Sequence, residues 1–411
     1  MLEKKILWIG SYTTDEIFKN MPARTPSHGS GFASEKSLVT GIDEVIKDTA
    51  YVMDTIGADT FPAYPEYSNL FVKRNEFTRN NKSYDVNVGY LNIRYINRFA
   101  RYISLMMEVK RWWKRNKTRK NLIIYTYGIE LEKILAAIWI KKRLDGAKIY
   151  TIIPDIPKFV NIKDSKIYIL LKNISEKLSR KKLPSIDYFI LYSKHMADYY
   201  GLPSNRWILM EGSISIDDIL YLNECKKNKN ENFIIMYSGT ISAIRGVPKL
   251  LEAFSSYKKK NIELWLTGSG DYKEKILEKT LSDKRIKYFG YLDNRKDVLK
   301  LEKQADLLMH IRISEAAYAP YCFPSKIFEY LATGNIVATV KIKGIPDDYY
   351  KYMLTIEELT ENGIHEVIEK AMSMDDDERD RFVSLAKEFV ITKKNSYVQA
   401  KRILEFAKID L

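Results

Sequence analysis

Short β-type runs alternate with helical stretches along almost the whole chain, and this constrains the fold more than any other feature. Strands are expected at 4–10, 49–54, 84–92, 121–127, 148–154 and 187–193, with helices at 34–47, 96–118, 130–143, 165–182 and 194–200. A charged, polar stretch, NECKKNKNEN at 223–232, interrupts the pattern and reads as a linker. The alternation then restarts, with strands at 233–239, 262–267, 286–291, 307–312 and 336–341 and helices at 247–257, 271–281, 295–305 and 324–333. Three helices, 358–372, 376–391 and 395–409, close the chain. Such alternation builds parallel sheets covered by helices. The expected fold class is α/β with two Rossmann-like, doubly wound domains, which suits a chain of 411 residues. The first domain is expected over 1–205, an interdomain segment and linker over 206–232, and the second domain over 233–390; the helix at 391–411 is expected to pack back on the first domain. No repeat of 20–50 residues relates the halves, which match only in architecture.

The stretch RISEAAYAPYCFPSKIFEYLATG, from Arg312 to Gly334, carries the strongest chemical signal. The apolar run LLMHI before it reads as a buried strand, and Pro324-Ser325 opens a helix bearing Lys326, Glu329 and Tyr330. Proline is preorganised for a first turn, and a serine beside it can satisfy open backbone N–H groups. Those groups and the helix dipole favour an anion, to which Lys326 adds a full charge. Glu329 shares a face with Lys326. A cation for phosphate beside a carboxylate for hydroxyls suits a nucleotide diphosphate with its ribose; an ordinary capped helix with an i, i+3 ion pair reads equally well. Three other loops follow expected strands and should gather with this one along one sheet edge. In SGTISAIRG, 238–246, Gly239 lets backbone approach a ligand and Arg245 is a bidentate phosphate donor. TGSGD, 267–271, is a glycine-rich turn, and GYLDNRKD spans 290–297. In the first half, the polar loop after Gly10-Ser11 runs to Gly31, and PARTPSHGSG, 22–31, is a candidate acceptor contact or a surface loop.

Charge brings in the partners. The formal net charge is +14, with 45% hydrophobic and 29% charged residues, a balance that argues against disorder. Much of the excess lies in residues 97–120, where Phe99, Tyr102, Ile103, Met106, Met107, Trp112 and Trp113 interleave with Arg98, Arg101, Lys110, Arg111, Lys114 and Arg115. A basic amphipathic helix ending in tryptophans suits an anionic membrane surface, here through residues 98–117; a packed helix with a solvated basic end is the alternative. No nucleic-acid module accompanies the charge, so nucleic acid is not expected as a partner. No apolar run reaches the roughly 20 residues of a membrane span. KKILWIG reads as a first strand rather than a signal peptide, and Cys225 and Cys322 form no framework or zinc pattern. The expected location is cytoplasmic, peripheral on the inner face of the cell membrane.

In FIIMYSGTISAIRGVPKLLEAF, LWLTGSGD, IKYFGYL and FPSKIFEYLATGNIVATVKIKGIPDDY the second half resembles the donor-binding domain of a GT-B glycosyltransferase of family 4, the retaining enzymes of group 1. The FPSK-x-x-EYLA-x-G run is similar to bacterial members that build capsular, exopolysaccharide or lipopolysaccharide chains, as are TIIPDIPKFV, LYSKHMADYYG and ILMEGSI in the first half. The resemblance implies two domains facing a central cleft, an acceptor-binding first domain and a nucleotide-sugar-binding second one. It implies transfer of a sugar from a nucleotide-diphosphate sugar to a saccharide or lipid-linked saccharide acceptor with anomeric retention. Arg245 and Lys326 would hold the diphosphate, assisted by amides around Gly239-Thr240 and Pro324-Ser325, and Glu329 would accept from the ribose. Gly268 and Gly270, Arg312 and Tyr321 complete the donor-binding set, with the base near Gly290-Tyr291-Leu292. Asp155, after KIYTIIPD, falls where relatives often place a catalytic His or Asp, or is a turn former between two prolines.

Two departures stand out. Relatives often carry Glu-x7-Glu, but the position eight before Glu329 is Tyr321, and Glu315 is the nearest upstream carboxylate. Their Gly-Arg-x4-Lys-Gly is here Gly239-Thr240-x4-Arg245-Gly246, which keeps a bidentate cation. The histidines His28, His195, His310 and His365 show no metal spacing, and the acidic run at 375–377 reads as a helix start, so neither metal nor cofactor is expected. The rivals are an epimerase or hydrolase of nucleotide sugars on the same fold and a non-catalytic basic membrane- or nucleic-acid-binding scaffold.

Overall fold

The computed structural model describes residues 4–14, 26–65, 68–159, 166–313 and 316–409, with backbone alone at 26–30 and 166–168. The chain divides into two compact units: Met1–Gly212 with Ser396–Leu411, and Ser213–Asn395.

The first unit is built on an eight-stranded sheet of order β10-β9-β8-β7-β1-β2-β5-β4. Its strands are β1 (Lys4–Gly10), β2 (Tyr51–Gly57), β4 (Asn75–Phe77), β5 (Asp85–Asn87), β7 (Ile123–Tyr127), β8 (Lys148–Ile153), β9 (Tyr188–Leu191) and β10 (Trp207–Leu209). All neighbours pair in parallel except β4 and β5. The apolar runs of β1 and β7 are buried almost end to end, as a sheet covered on both faces requires. The chain winds outward from β1 through β2, then returns to β7 on the other side. A short ribbon, β3 (Phe71–Val72) with β6 (Tyr90–Leu91), stands apart. Thus 84–92 is not one strand: Gly89 lies so close to Arg74 N and Val72 O that a Cβ would meet them at 2.5 and 2.8 Å. The helix after β1 begins at Pro26, so 26–31 is helical rather than loop, while 22–25 lies outside the described residues. The last helix, Ser396–Phe406, packs on that first helix, where Gly41 is needed because a Cβ would meet Ser396 O at 2.4 Å. Gln399 Nε2 holds the Met210 and Gly212 carbonyls at 2.6 and 2.7 Å.

The second unit has a six-stranded parallel sheet of order β13-β12-β11-β14-β15-β16. These are β11 (Phe233–Ser238), β12 (Ile262–Thr267), β13 (Ile286–Tyr288), β14 (Leu307–His310), β15 (Ile336–Val340) and β16 (Leu354–Ile356). Two apolar layers, one around Leu250, Phe254 and Ile364 and one around Ile327, Phe328 and Tyr349, cover its faces. Strand order reverses between β11 and β14, so their carboxyl ends open a crevice. Residues 206–232 are more than a linker: they supply β10 and the helix Ile216–Glu224, capped by Ser215, whose side chain accepts from Asp217 N. The acidic run at 375–377 is a helix start, with Asp375 accepting from Glu378 N.

The helix Asn97–Asn116 corrects the expected role of its tryptophans. Trp112 is fully buried and donates its indole N–H to Asp54 Oδ2 at 2.8 Å, and Trp113 packs edge-on against Trp139 at 5.7 Å. Arg101 is likewise buried, paired with Glu132. What this helix exposes is Phe99, Ile103 and Met107, spaced one helical turn apart. Replacing Trp112 by Phe removes a buried donor from Asp54, which keeps Lys5 Nζ and Tyr84 N at 3.0 and 2.9 Å. We expect Trp112→Phe to lower unfolding free energy by about 1–3 kcal/mol, read by urea denaturation, without changing vesicle binding.

Candidate functional site

The crevice of the second sheet is lined by residues following β11 and β14. Ser238 ends β11; its N–H donates to Tyr330 Oη at 2.9 Å, which ties the strand to the helix Lys326–Thr333. On that helix, Lys326 Nζ donates to Glu302 Oε1 at 2.7 Å and to Glu329 Oε2 at 2.8 Å. Arg295 Nη2 lies 3.3 Å from the other Glu329 oxygen and 2.7 Å from Asp218 Oδ2. Glu302 Oε1 also accepts from the Ser238 hydroxyl, while its Oε2 is buried without a hydrogen-bond partner. Burial pushes the Glu302 carboxyl up, Lys326 pulls it back, and Glu329 adds to the rise. Burial also works against the Lys326 charge, but the two carboxylates outweigh it and hold its pKa above the ordinary lysine value. For Glu329, burial opposes ionisation, but Arg295 and Lys326 prevail and keep it below the usual carboxylate range.

Beside this cluster stand two further cations. Arg245, in the turn Ala243–Arg245, and Arg312, just past β14, lie over the Tyr318 ring at 5.9 and 5.1 Å. Tyr237 is buried among them; burial raises its pKa, and Arg312 and Lys326 both draw it back. The structure therefore brings Arg245, Arg312, Lys326 and Glu329 to one sheet edge, with Gly239 and Thr240 in the first loop. Tyr321 closes the turn Ala319–Tyr321 in the loop leading to the Lys326 helix. Pro324 is buried there and Ser325 exposed, and the Ser325 side chain makes no capping bond. Glu315 lies outside the described residues.

The glycines divide into two kinds. A Cβ on Gly268 would sit 1.8 Å from Gly239 O, and one on Gly270 2.1 Å from Ile241 O. Their loop is locked to its neighbours: Gly268 N donates to Gly290 O at 2.8 Å and Ile241 N to Ser269 O at 2.9 Å. Gly268 and Gly270 thus serve the close packing of one loop on another. Gly239 differs, since a Cβ there would touch only Tyr237, no nearer than 3.4 Å; its φ of 149° is what requires glycine. Its amide is already given to Thr267 O at 3.0 Å. Tyr291 is exposed and Leu292 half-buried beyond β13. Asp155 belongs to the first unit, exposed after β8.

Residues 222–389 match the family model described as "Glycosyl transferases group 1". The matched stretch covers most of the second unit, and the protein is a glycosyltransferase. Its fold is GT-B. An E. coli trehalose-6-phosphate enzyme bound with UDP-2-fluoro glucose superposes with a TM-score of 0.68 at 10% identity over 99% of each chain. Sucrose-phosphate synthase from Thermosynechococcus elongatus gives 0.64 at 13%, covering 99% of this chain and 98% of that one. Anabaena HepE in complex with UDP gives 0.62 at 13%, covering 98% and 99%. No curated protein matches in sequence.

In this glycosyltransferase the first sheet also carries a polar cluster at its own point of strand reversal, between β1 and β7. Glu35 accepts from Trp8 Nε1 at 2.7 Å and Ser11 N at 2.8 Å. Lys133 Nζ donates to Tyr127 O at 2.8 Å and Ser11 Oγ at 3.3 Å. Nearby Asp59 is pushed up to about 7 by burial and by Glu35, against Lys133 and Arg101. Glu35, Lys133 and Asp59, with Glu302 and Asp218, are residues the sequence did not single out, and Arg295 entered only as part of the loop 290–297. The signal for Glu302 was a carboxylate three residues after Leu299, on the buried face of its helix. His310, hydrogen-bonded to Thr339 at 2.9 Å, is kept neutral by burial, its pKa lowered to about 4. Among the described residues no three His, Cys, Asp or Glu side chains gather to hold a metal ion.

Removing Lys326 leaves Glu302 and Glu329 facing each other without their shared cation. We expect Lys326→Met to destabilise the fold by about 3 kcal/mol, read by chemical denaturation, with Lys326→Arg milder.

Proposed function

We propose that the protein transfers a sugar from a nucleotide-diphosphate sugar to a saccharide acceptor, with retention at the anomeric carbon, in bacterial surface polysaccharide synthesis. The observation that carries this reading is the gathering of Arg245, Arg312 and Lys326 at the carboxyl ends of β11 and β14, beside a carboxylate, in a group 1 domain. As the glycosidic bond breaks toward an oxocarbenium-like state, the departing nucleotide diphosphate gains negative charge. Preorganised cations aimed at that charge are usually the largest catalytic contribution. Lys326 has three N–H donors, two spent on Glu302 and Glu329, which leaves the third for a phosphate oxygen. Each Glu329 oxygen keeps lone pairs beyond its bonds to Lys326 and Arg295 for ribose hydroxyls. Neighbours recorded with UDP and a UDP-glucose analogue support a uridine nucleotide as the first donor to try. In the first unit, the carboxylates of Glu35 and Asp59 beside Lys133 suit a hydroxyl-rich acceptor, and Asp155 remains a candidate at the end of β8.

A lipid-linked acceptor fits the surface of the first unit, and with it a place on the inner face of the cell membrane. Phe99, Ile103 and Met107 are 64%, 42% and 50% exposed on a helix whose last turn carries Lys114 and Arg115. The helix Lys166–Lys182, which ends in Arg180, Lys181 and Lys182, exposes Leu170, Ile174 and Leu178. Apolar stripes bordered by basic residues suit anionic lipid.

Glu329→Ala should weaken binding of the nucleotide sugar by roughly 1.5–3 kcal/mol in calorimetry, and Glu329→Gln should keep part of it; parental affinity in both overturns the ribose assignment. Arg245→Ala should lower turnover more than donor affinity. Transfer should persist in EDTA; loss restored by magnesium or manganese would refute a metal-free mechanism. Vesicles of anionic lipid should bring the protein down at low salt, and Phe99→Ser with Met107→Ser should release it. A parent that stays in solution points to a soluble acceptor.

A further inference from the structure

Glu302 is buried completely, and its Oε2 has no hydrogen-bond partner. The groups facing it come from four elements. The helix Lys326–Thr333 presents Lys326, Glu329 and Tyr330, and β11 presents the Ser238 hydroxyl. Its own helix, Arg295–Gln304, contributes Arg295, and the helix Ile216–Glu224 contributes Asp218 through Arg295. With every group ionised, two cations face three carboxylates, Glu302, Glu329 and Asp218, so the cluster carries an excess negative charge. That excess opposes the diphosphate the neighbouring cations are to hold.

The geometry points to Glu302 as a positioning residue that takes up a proton from solvent when a nucleotide diphosphate binds beside Lys326. This rests on the nucleotide-sugar reading of the site. The proton goes to a Glu302 carboxyl oxygen, Oε2 being the one without a partner, and no other bond is made or broken. Neutral Glu302 leaves the cluster balanced and lets Lys326 direct its charge to phosphate, while Oε1 still accepts from Lys326 and Ser238. A buried neutral carboxyl with one unmet hydrogen bond costs far less than a buried charge in the same position. The raised Glu302 pKa already leans toward this form, and an added anion raises it further. The sign follows: affinity is highest where Glu302 is readily protonated and falls as pH rises through its free-state value, roughly tenfold for each pH unit over which one proton is exchanged.

The test uses the full chain and nucleotide sugars, UDP-glucose and GDP-mannose among them, because their diphosphates carry no proton that titrates near neutrality. Calorimetry in two buffers of different ionisation enthalpy should show uptake of up to about one proton per nucleotide sugar bound. Glu302→Gln, a neutral isostere, should abolish the uptake. Its advantage over the parent should widen as pH is raised stepwise and close as pH is lowered toward the range in which free Glu302 is already protonated. Weaker binding by Glu302→Gln at every pH in a folded variant would mean that Glu302 is only structural, and would overturn the proposal. Binding by the parent without buffer dependence overturns it too, whether or not the variant folds. Failure of every nucleotide sugar to bind the parent is a different result, which removes the functional reading beneath the proposal as well.

Discussion

The ammonium group of Lys326 held between Glu302 and Glu329 is the interaction on which the second unit depends. It joins two helices, and through Ser238 and Tyr330 it joins both to the end of β11. Buried ion pairs bring little net stability, but removing one member costs several kcal/mol because the other is left without compensation. The cluster therefore acts less as a brace than as a means of setting direction. It fixes where one cation points, at the edge where strand order reverses and loops from several strands meet.

The loops at that edge are positioned by backbone. Gly268 and Gly270 allow the β12 loop to lie directly on the β11 loop, where the Gly268 amide donates to Gly290 O and the Ser269 carbonyl accepts from Ile241 N. A glycine-rich turn near a phosphate site invites the reading that every glycine meets the ligand. Here the glycines build a rigid floor, while Arg245, Arg312 and Lys326 bring the charge. Rigidity of this kind favours catalysis, because donors already in place need no reorganisation as charge develops.

The architecture was legible because continuous apolar runs and amphipathic helices repeat with distinct periods, and nearly every strand and helix of the sheet cores lies within a few residues of its expected place. The short edge pieces escaped: β3, β4, β10 and β16 are too brief for a period to show. Lys326, Glu329 and Arg245 were legible because motif spacing carries them. Glu302 was not, since it meets Lys326 only through the packing of two helices 24 positions apart in sequence. The tryptophans misled for a related reason. Basic residues around Trp112 and Trp113 suggest an outward face, yet the helix turns Trp112 onto Asp54 and leaves Phe99, Ile103 and Met107 exposed.

The central claim is that a nucleotide diphosphate binds at the carboxyl ends of β11 and β14, held by the third donor of Lys326 and by Arg245. A crystal structure with UDP bound tests it most directly. The account predicts diphosphate oxygens within hydrogen-bonding distance of Lys326 Nζ and the Arg245 guanidinium, with the ribose hydroxyls on Glu329. UDP bound elsewhere, with Lys326 still enclosed by its two carboxylates and touching no phosphate, would contradict it.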